Sequence, residues 1–301
     1  MKRKEFLRLF RAEPGKKGWL QDHDPAWVGT PEMKKLGEET LKGRAHQLLA
    51  ANLEALSASQ QLLYASDRYS VLIIFQAMDA AGKDGTIRHV MSGVNPQGCQ
   101  VFSFKKPSDE ELDHNFLWRY MRSLPERGRI GIFNRSYYED VLVVKVHPEL
   151  LEEQKLPEAK SGKDFWQERY EDINSFERHL FRNGTVIIKL FLNLSKAEQK
   201  RRFLARLETP EKNWKFSPAD IAERGFWDHY QDAFEDALSA TSTEWAPWFI
   251  LPADHKWVTR SLASEIIVKT IESLDLKFPK LDEQQMQALK IAGEKLSAEK
   301  D

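Results

Sequence analysis

Short continuous apolar runs alternate along the chain with segments in which apolar residues recur at helical spacing. Four runs lack polar alternation and are typical of buried parallel strands: residues 71–75, 130–133, 186–194 and 248–251. Residues 100–104 are predicted as a further strand, and helical spacing predicts helices over residues 31–66, 165–182 and 259–275. This alternation predicts an α/β fold with a doubly wound parallel sheet and helices on both faces.

Turn and capping residues shape the connections between these elements. Ser108 and Glu111 have the spacing of a capping box, which predicts one helix that carries Arg119 and Arg122 on a single face. We expect residues 141–163 to form a connecting region and residues 200–230 to form a helical insertion, or lid, beside the sheet. An extended N-terminal arm, an α/β domain and a polar tail are then expected over residues 1–30, 31–278 and 279–301.

Composition narrows the class of protein. The chain has 301 residues and a formal net charge of −1, so the electrostatic field of the whole molecule does not indicate a polyanionic partner. A polyanion could still bind to a local cluster of basic residues. The single cysteine, Cys99, excludes an intramolecular disulfide and suits a reducing cytoplasm. The sequence shows neither a signal peptide nor an apolar stretch of membrane-spanning length. We therefore expect a soluble cytoplasmic protein.

The first apolar run ends in a turn of small residues followed by Gly82 and Lys83. This pattern resembles a phosphate-binding loop, in which backbone N–H groups and the next helix, here about residues 86–93, bind phosphate oxygens. Ala77 replaces the first glycine of that pattern, and Asp84 replaces its Mg²⁺-binding hydroxyl. Asp79 inside the loop would repel an anion without a metal between them, so it suggests a Mg²⁺ ligand. The alternative is a tight turn with an exposed lysine.

Two further polar groups follow the predicted strands. Asn134, Arg135 and Glu139 follow the third strand, where parallel α/β sheets bind ligands. The helix after the fourth strand carries Arg201, Arg202 and Arg206, with Lys212 and Lys215 beyond it. Each group also has a structural explanation. The arginines could lie on a solvent-exposed helix face, Arg135 could form a structural ion pair, and Glu139 could cap a helix. With the loop, the same residues supply what phosphoryl transfer needs: positioning, Mg²⁺ and positive charge.

Three long motifs, at residues 78–86, 133–140 and 211–216, carry a resemblance to a known family. They read Met-Asp-Ala-Ala-Gly-Lys-Asp-Gly-Thr, Phe-Asn-Arg-Ser-Tyr-Tyr-Glu-Asp and Glu-Lys-Asn-Trp-Lys-Phe. Together they resemble the second family of polyphosphate kinases, and residues 241–243, 246–248 and 254–260 fit the same family. The resemblance extends over about residues 30–275 and implies a thymidylate-kinase-like P-loop fold.

The resemblance implies reversible, Mg²⁺-dependent phosphoryl transfer between inorganic polyphosphate and purine nucleotides. By motif, Asp79 resembles the family's metal-binding aspartate, Lys83 its phosphate-binding lysine and Arg135 the arginine of its Walker-B-like motif. The implied phosphate-contacting positions lie in the loop and lid: Ala80, Ala81, Gly82, Asp84, Gly85, Thr86, Arg201, Arg202, Arg206, Lys212 and Lys215. Asn134 stands where many members have aspartate, and since an amide is a weaker Mg²⁺ ligand, Glu139 would compensate. The Tyr-Glu ending resembles the subgroup that phosphorylates nucleoside mono- and diphosphates: AMP and ADP, or GMP and GDP.

A polyanionic substrate should also require a cationic tract that leads to the loop. Our candidates lie between the two catalytic motifs: Lys105, Lys106, Arg119, Arg122, Arg127 and Arg129. Two other functions stay open, an ATP-dependent nucleoside monophosphate kinase and a non-enzymatic nucleotide-binding protein. Nucleic-acid binding is disfavoured because no recognition motif accompanies the basic residues. The resemblance and the long N-terminal helix also suggest a homo-oligomer, a dimer or tetramer.

Overall fold

A computed structural model describes residues 3–157, 162–213 and 217–299. Five strands lie in this part of the chain: β1 Ser70–Gln76, β2 Cys99–Ser103, β3 Ile130–Asn134, β4 Thr185–Asn193 and β5 Trp248–Pro252. The helices before β3 are α1 Arg3–Arg8, α2 Trp19–Asp22, α3 Pro31–Lys34, α4 Glu38–Ser66, α5 Lys83–Val90, α6 Asp109–Leu112 and α7 Trp118–Met121. Those after it are α8 Glu139–Val146, α9 Leu150–Glu153, α10 Lys163–Arg182, α11 Lys196–Leu207, α12 Pro210–Asn213, α13 Pro218–Gly225, α14 Trp227–Thr241, α15 Lys256–Glu272 and α16 Glu283–Ala298.

The strands form one parallel sheet in the order β2-β3-β1-β4-β5. In the register of this sheet, Val71 of β1 lies between Ile130 of β3 and Val186 of β4. The carboxyl ends of β1, β3 and β4 therefore reach the same edge of the sheet. The expected α/β fold is confirmed, and the strand order places the turn after β1 at the centre of that edge.

The side chains of β1 alternate between two apolar layers, as the pleat of a strand requires. Val71, Ile73 and Phe75 pack with α4, α5 and α15 on one face of the sheet. Leu72 and Ile74 pack with α8, α10 and α14 on the other. Both faces are covered, which explains why the strand sequence is apolar throughout rather than alternating.

The apolar run of β4 contains one charged residue, and the sheet buries it completely. Lys189 of β4 and Glu177 of α10 are each 0% exposed and form an ion pair with 2.6 Å between Nζ and Oε2. Glu177 Oε1 also accepts hydrogen bonds from the hydroxyls of Tyr137 and Tyr138, both at 2.8 Å. This network joins the middle of the sheet to the turn that follows β3.

Several predicted connections are wrong in detail. Arg119 and Arg122 do not share one helix that begins at Ser108, because α6 and α7 are separate and only four residues long. Residues 141–163 are not an open connection, since they contain most of α8 and all of α9. The helix after the loop begins at Lys83 rather than residue 86, because Gly82 adopts a left-handed conformation with φ +100° that ends the turn.

The two ends of the described chain differ in how they pack. In the N-terminal segment Phe10, Ala12 and Trp19 are buried, and Arg11 forms an antiparallel bridge to Phe249 of β5. Beyond residue 279 the chain forms α16, in which every residue is exposed. Across the described residues, the helices are too short or too polar for any of them to cross a membrane.

Candidate active site

The turn between β1 and α5 has the backbone form of a phosphate-binding loop. Gly82 has a φ of +100° and Ala80 a φ of +63°, so the chain turns sharply before the first turn of α5. Lys83 folds back over this turn, and its Nζ donates to the carbonyl oxygens of Ala77 at 2.9 Å and Met78 at 3.4 Å. Lys83 thus stabilises the turn in this conformation. Its side chain would have to leave these two carbonyl oxygens in order to contact a phosphate.

Arg135 links the loop to the tip of β3. Its guanidinium donates to Asp79 Oδ1 at 2.8 Å and to Glu139 Oε2 at 3.3 Å, and these contacts hold it between two carboxylates. The Glu139 carboxylate, helped by Asp79, raises the pKa of Arg135 above its ordinary value. Gln76, 1% exposed at the end of β1, donates to Glu139 Oε1 at 3.1 Å. The structure therefore brings together the predicted residues Asp79, Arg135 and Glu139.

Three carboxylates act on the charge of the loop lysine. Asp79, Glu139 and Asp84 are close enough to Lys83 to counteract the lowering of its pKa by burial, which is the larger influence. Asn134 donates its amide Nδ2 to Asp84 Oδ1 at 2.7 Å, so in this geometry its nitrogen rather than its oxygen faces the loop carboxylate. No group of three or more metal-ligating side chains is found among the described residues.

The arginines of α11 are already engaged with other groups. Arg202 donates to the carbonyl oxygens of Ala80, Ala81, Ala253 and Asp254, and so ties the loop to the turn after β5. Arg201 forms a double hydrogen bond with Glu198, and Arg206 pairs with Asp220 of α13 at 3.2 Å. Lys215 lies outside the described residues, as does the side chain of Lys212. The assignment of these cations to phosphate stays a prediction.

A cavity of about 270 Å³ opens between the loop, the start of α8 and the helices α13 and α14. Its polar wall includes Asp79, Arg135, Glu139 and Asp220, while Leu142, Tyr230 and Phe234 supply apolar surface. Asp220 is close enough to Asp79 that this charge, added to the larger effect of burial, raises the pKa of Asp220. A mixed polar and apolar cavity beside a phosphate loop is suited to a nucleoside.

Sequence analysis missed most of the lining of this cavity. Gln199 donates to the backbone oxygen of Asp79 at 3.0 Å and accepts from Arg224 at 2.7 Å. Glu223 accepts from the Tyr230 hydroxyl at 2.6 Å and pairs with His147 at 3.0 Å. These residues come from separate helices and have no recognisable spacing in the sequence. Gln76, which does not line the cavity but donates to Glu139, did have a visible signal, since it is a single polar residue at the end of an apolar run.

The cationic tract expected between the two motifs is not continuous. Arg127 donates to the backbone oxygen of Arg68 and Arg129 directly precedes β3, so both lie at the amino ends of the strands, away from the loop. Placing them near the site was wrong, because Arg129 precedes the first residue of β3, whereas Asn134 is the last residue of this five-residue strand. Of the four other candidates, Arg119 pairs with Glu111 and Lys106 with Glu153. Lys105 and Arg122 are the two of these four that are exposed and make no ion pair in the described structure.

Comparisons with known proteins agree on one family. The family model for polyphosphate kinase 2 matches residues 40–279. A protein of Rhodopseudomonas palustris named ADP-polyphosphate phosphotransferase is 60% identical over 239 residues, which are 79% of this chain and 83% of that protein. A protein of Meiothermus ruber named AMP/ADP-polyphosphate phosphotransferase is 43% identical over 273 residues, 91% of this chain and 96% of that protein.

A solved structure shows the same architecture. The structure of polyphosphate kinase 2 from Arthrobacter aurescens matches with a TM-score of 0.82 and 37% sequence identity over 97% of both chains. The five-stranded parallel sheet, the phosphate loop after its central strand and the family match over most of the sequence are mutually consistent. The chain therefore belongs to the polyphosphate kinase 2 family.

Proposed function

We propose that the protein transfers a phosphoryl group reversibly between inorganic polyphosphate and adenine nucleotides, and converts AMP to ADP and ADP to ATP. The family match and the names of the two curated relatives support this reaction. One relative is named for ADP and the other for AMP and ADP, so the acceptor range is the part of the proposal that needs a direct test. Guanine nucleotides are a second acceptor class in the same proposal.

A single structural observation carries the proposed arrangement of substrates. Asp79 and Arg135 belong both to the loop network and to the wall of the 270 Å³ cavity. A nucleotide in that cavity would direct its terminal phosphate towards Arg135, while polyphosphate would lie against the loop and Lys83. The two reacting phosphates would then meet at Arg135, in the positions that in-line transfer requires.

The residues of the chain have separate tasks in this reaction. Lys83 would leave the carbonyl oxygens of Ala77 and Met78 and donate to the transferred phosphoryl group. Arg135, held by Glu139, would stabilise charge on the acceptor side, because a fixed donor loses little freedom during the reaction. Closure of the lid helix α13 over the cavity would exclude water and so limit hydrolysis of the donor.

Magnesium is the cation that fits the donors around the loop. Mg²⁺ needs only one or two carboxylates when phosphate oxygens complete its coordination, and Asp79 and Asp84 are such carboxylates beside the lysine. When bound, the ion would neutralise phosphate charge and orient the transferred group. Asn134 and Glu139 stay predicted contributors to this site. A homo-oligomeric state and a cytoplasmic location are likewise proposals.

The decisive experiment is a donor and acceptor matrix with the purified full-length chain. Long-chain polyphosphate and Mg²⁺ are incubated with AMP or ADP in the absence of ATP, and the nucleotides are separated. ADP and ATP formed from AMP would support the full proposal, and ATP formed only from ADP would narrow it to diphosphates. Activity only with ATP as donor would instead identify a nucleoside monophosphate kinase. Lys83→Met, which removes the loop ammonium, should reduce turnover at least about 100-fold.

A further inference from the structure

Gln76, the last residue of β1, is a buried polar side chain in an otherwise apolar part of the sheet. It is 1% exposed, and the strand is buried along its whole length. Side chains alternate along a strand, so Gln76 points to the same face as Leu72 and Ile74, the face on which α8 packs. Burying an amide costs free energy unless it makes hydrogen bonds, so Gln76 requires partners on that face.

The main partner of this amide is the carboxylate of Glu139, at the start of α8. Gln76 Nε2 donates to Glu139 Oε1 at 3.1 Å, with a longer contact of 3.5 Å to Ser136 Oγ. The other carboxylate oxygen, Oε2, accepts from Arg135 Nη1 at 3.3 Å. Each oxygen of Glu139 thus has its own donor, one from β1 and one from the turn after β3. These two donors together fix the orientation of the carboxylate.

This division of the carboxylate determines how Glu139 holds Arg135. Because Gln76 binds one oxygen, the guanidinium receives a single hydrogen bond from its contact with Glu139 rather than the bidentate pair that arginine and carboxylate frequently form. Arg135 also donates to Asp79 at 2.8 Å. A guanidinium has more N–H donors than these two contacts use, and the Arg135 side chain is 38% exposed and lines the cavity. Its remaining N–H groups can therefore donate to a phosphate in the cavity.

Loss of the Gln76 amide would allow the Glu139 carboxylate to rotate. Both of its oxygens could then accept from Arg135, which would turn the guanidinium away from Asp79 and occupy N–H groups that now face the cavity. An amide prevents this rotation without adding a second positive charge that would compete with Arg135 for Glu139. A buried glutamine at the end of β1 is therefore suited to hold the carboxylate in place while leaving its charge to Arg135.

We propose that Gln76 is a positioning residue for phosphoryl transfer, which binds Glu139 Oε1 and so keeps Arg135 directed at the acceptor phosphate. Gln76 does not line the cavity, so it acts only through Glu139 and Arg135 and not by contact with the nucleotide. The inference rests on the proposed function and deepens it, because it identifies a residue outside the three sequence motifs on which the reaction depends.

The test compares two variants of β1 in the full-length protein. Gln76→Met has a side chain of similar length without an N–H donor, so it releases Glu139. Ser70→Ala is the matched control, because it removes a buried hydrogen bond of 3.0 Å to Thr185 at the opposite end of the same strand. For each variant we would measure thermal unfolding, kcat, and KM for AMP and for long-chain polyphosphate. Competitive inhibition by adenosine, which lacks the acceptor phosphate, completes the set.

We expect Gln76→Met to lower kcat/KM for AMP about tenfold, the effect of losing one well-directed hydrogen bond to a charged group. KM for polyphosphate and the inhibition constant of adenosine should stay within about twofold of wild type, since Arg135 acts on the acceptor phosphate. Ser70→Ala should lose a similar amount of stability and keep its activity. A loss below about twofold, an equal loss in Ser70→Ala, or an equal change for adenosine would overturn the proposal.

A second comparison tests whether Gln76 acts through Glu139. Glu139→Ala removes the acceptor of the Gln76 hydrogen bond and lowers activity by itself. Adding Gln76→Met to Glu139→Ala should reduce kcat/KM by less than about twofold further, because a residue that acts through Glu139 has no effect once Glu139 is absent. The same tenfold loss in both backgrounds, about what Gln76→Met alone should cause, would show that Gln76 acts by another route.

Failure of this inference can be distinguished from failure of the proposed function. If wild type accepts only ADP, the same measurements are made with ADP as acceptor. If wild type transfers phosphate only from ATP, the proposed function fails, and the variants are compared with ATP as donor. If neither donor supports transfer, both proposals fail. If wild type uses polyphosphate and Gln76→Met matches it, only the role of Gln76 is wrong.

Discussion

Arg135 adopts a left-handed backbone conformation, with φ +66°, that residues other than glycine rarely occupy. Its backbone N–H donates to Phe75 of β1 at 3.1 Å, and its side chain binds Asp79 and Glu139. A strained conformation persists only where neighbouring contacts hold it, and here these contacts point the guanidinium into the cavity. The backbone conformation of Arg135 therefore fixes the position of its side chain as much as the two ion pairs do.

The amide of Asn134 provides a test of the metal proposal at the scale of one residue. Asn134→Asp would replace the hydrogen bond to Asp84, now 2.7 Å long, with repulsion between two carboxylates that a cation relieves. We expect the variant to unfold at a lower temperature than wild type without Mg²⁺ and to recover when Mg²⁺ is added. Thermal unfolding with and without the ion measures this. Ser103→Ala, which loses only a weak contact to Asn134, is the control.

If Asn134→Asp is equally stable with and without Mg²⁺, the ion does not bind between these two side chains. A loss of stability that Mg²⁺ cannot reverse would also contradict the prediction. In either case Asp79 and Glu139 would have to hold the metal without help from the tip of β3.

Asp140 gives a second residue-scale prediction, on pH dependence. Burial raises its pKa to about 6, although Arg169 and the hydrogen bond from Gln154 oppose the shift. The native state therefore binds this proton more tightly than the unfolded state does, and the contribution to stability is lost as pH rises through about 6. Asp140→Asn should be more stable than wild type at pH 8 by about 1–2 kcal/mol. Urea unfolding at several pH values between 5 and 8 measures the difference.

The advantage of Asp140→Asn should shrink steadily as pH falls towards 5, because wild type then regains its proton. Gln154 can still donate to the amide oxygen, so the variant keeps this contact. A variant less stable than wild type at pH 8 would show that the attraction of Arg169 outweighs burial.

At the scale of secondary structure, α10 and β4 support the motif after β3. Tyr137 and Tyr138 belong to the family motif, but both are fully buried and donate to Glu177 rather than to the cavity. Lys189 holds this carboxylate at 2.6 Å and also donates to the backbone oxygen of Thr241 at 2.7 Å. The tyrosines therefore anchor the turn that carries Arg135 and Glu139.

Removal of the buried lysine tests this support. Lys189→Met leaves the Glu177 carboxylate buried without a cation and should destabilise the protein by about 3–5 kcal/mol. The double variant Lys189→Met with Glu177→Gln contains no buried charge and should recover a large part of that loss. Chemical denaturation of both variants measures the two free energies. A loss below about 1 kcal/mol for Lys189→Met would mean that the pair contributes little.

For the whole molecule, the sheet edge separates two surfaces with different chemistry. The cavity between loop and lid contains carboxylates and apolar side chains, whereas the opposite side of the loop bears Arg88, Lys256 and Arg260. The positive charge on this side of the loop is local, since the whole chain has a formal net charge of only −1. Helix α16 belongs to neither surface, since all of its residues are exposed.

Deletion of residues 280–301 should therefore leave the body of the protein intact. A helix that buries no side chain contributes no apolar burial to folding, so the midpoint of thermal unfolding should change by less than about 2 °C. Differential scanning calorimetry and light scattering of the truncated and full-length chains check this. A large drop in the midpoint together with a smaller particle would instead show that α16 packs against a second copy of the chain.

Strand positions, the loop, the β3 motif and the family could be recognised in the sequence because each depends on residues close together along the chain. The apolar runs require buried strands, and the small residues before Lys83 require a sharp turn. Contacts of Arg202 with Ala81, 121 residues away, and of Gln76 with Glu139, 63 residues away, depend on strand order and helix placement. Only the tertiary structure could determine these contacts, because side chains distant in sequence meet only when the sheet is assembled. For the same reason, only the structure could show that Arg129 lies away from the site and that Arg88 lies near Arg260.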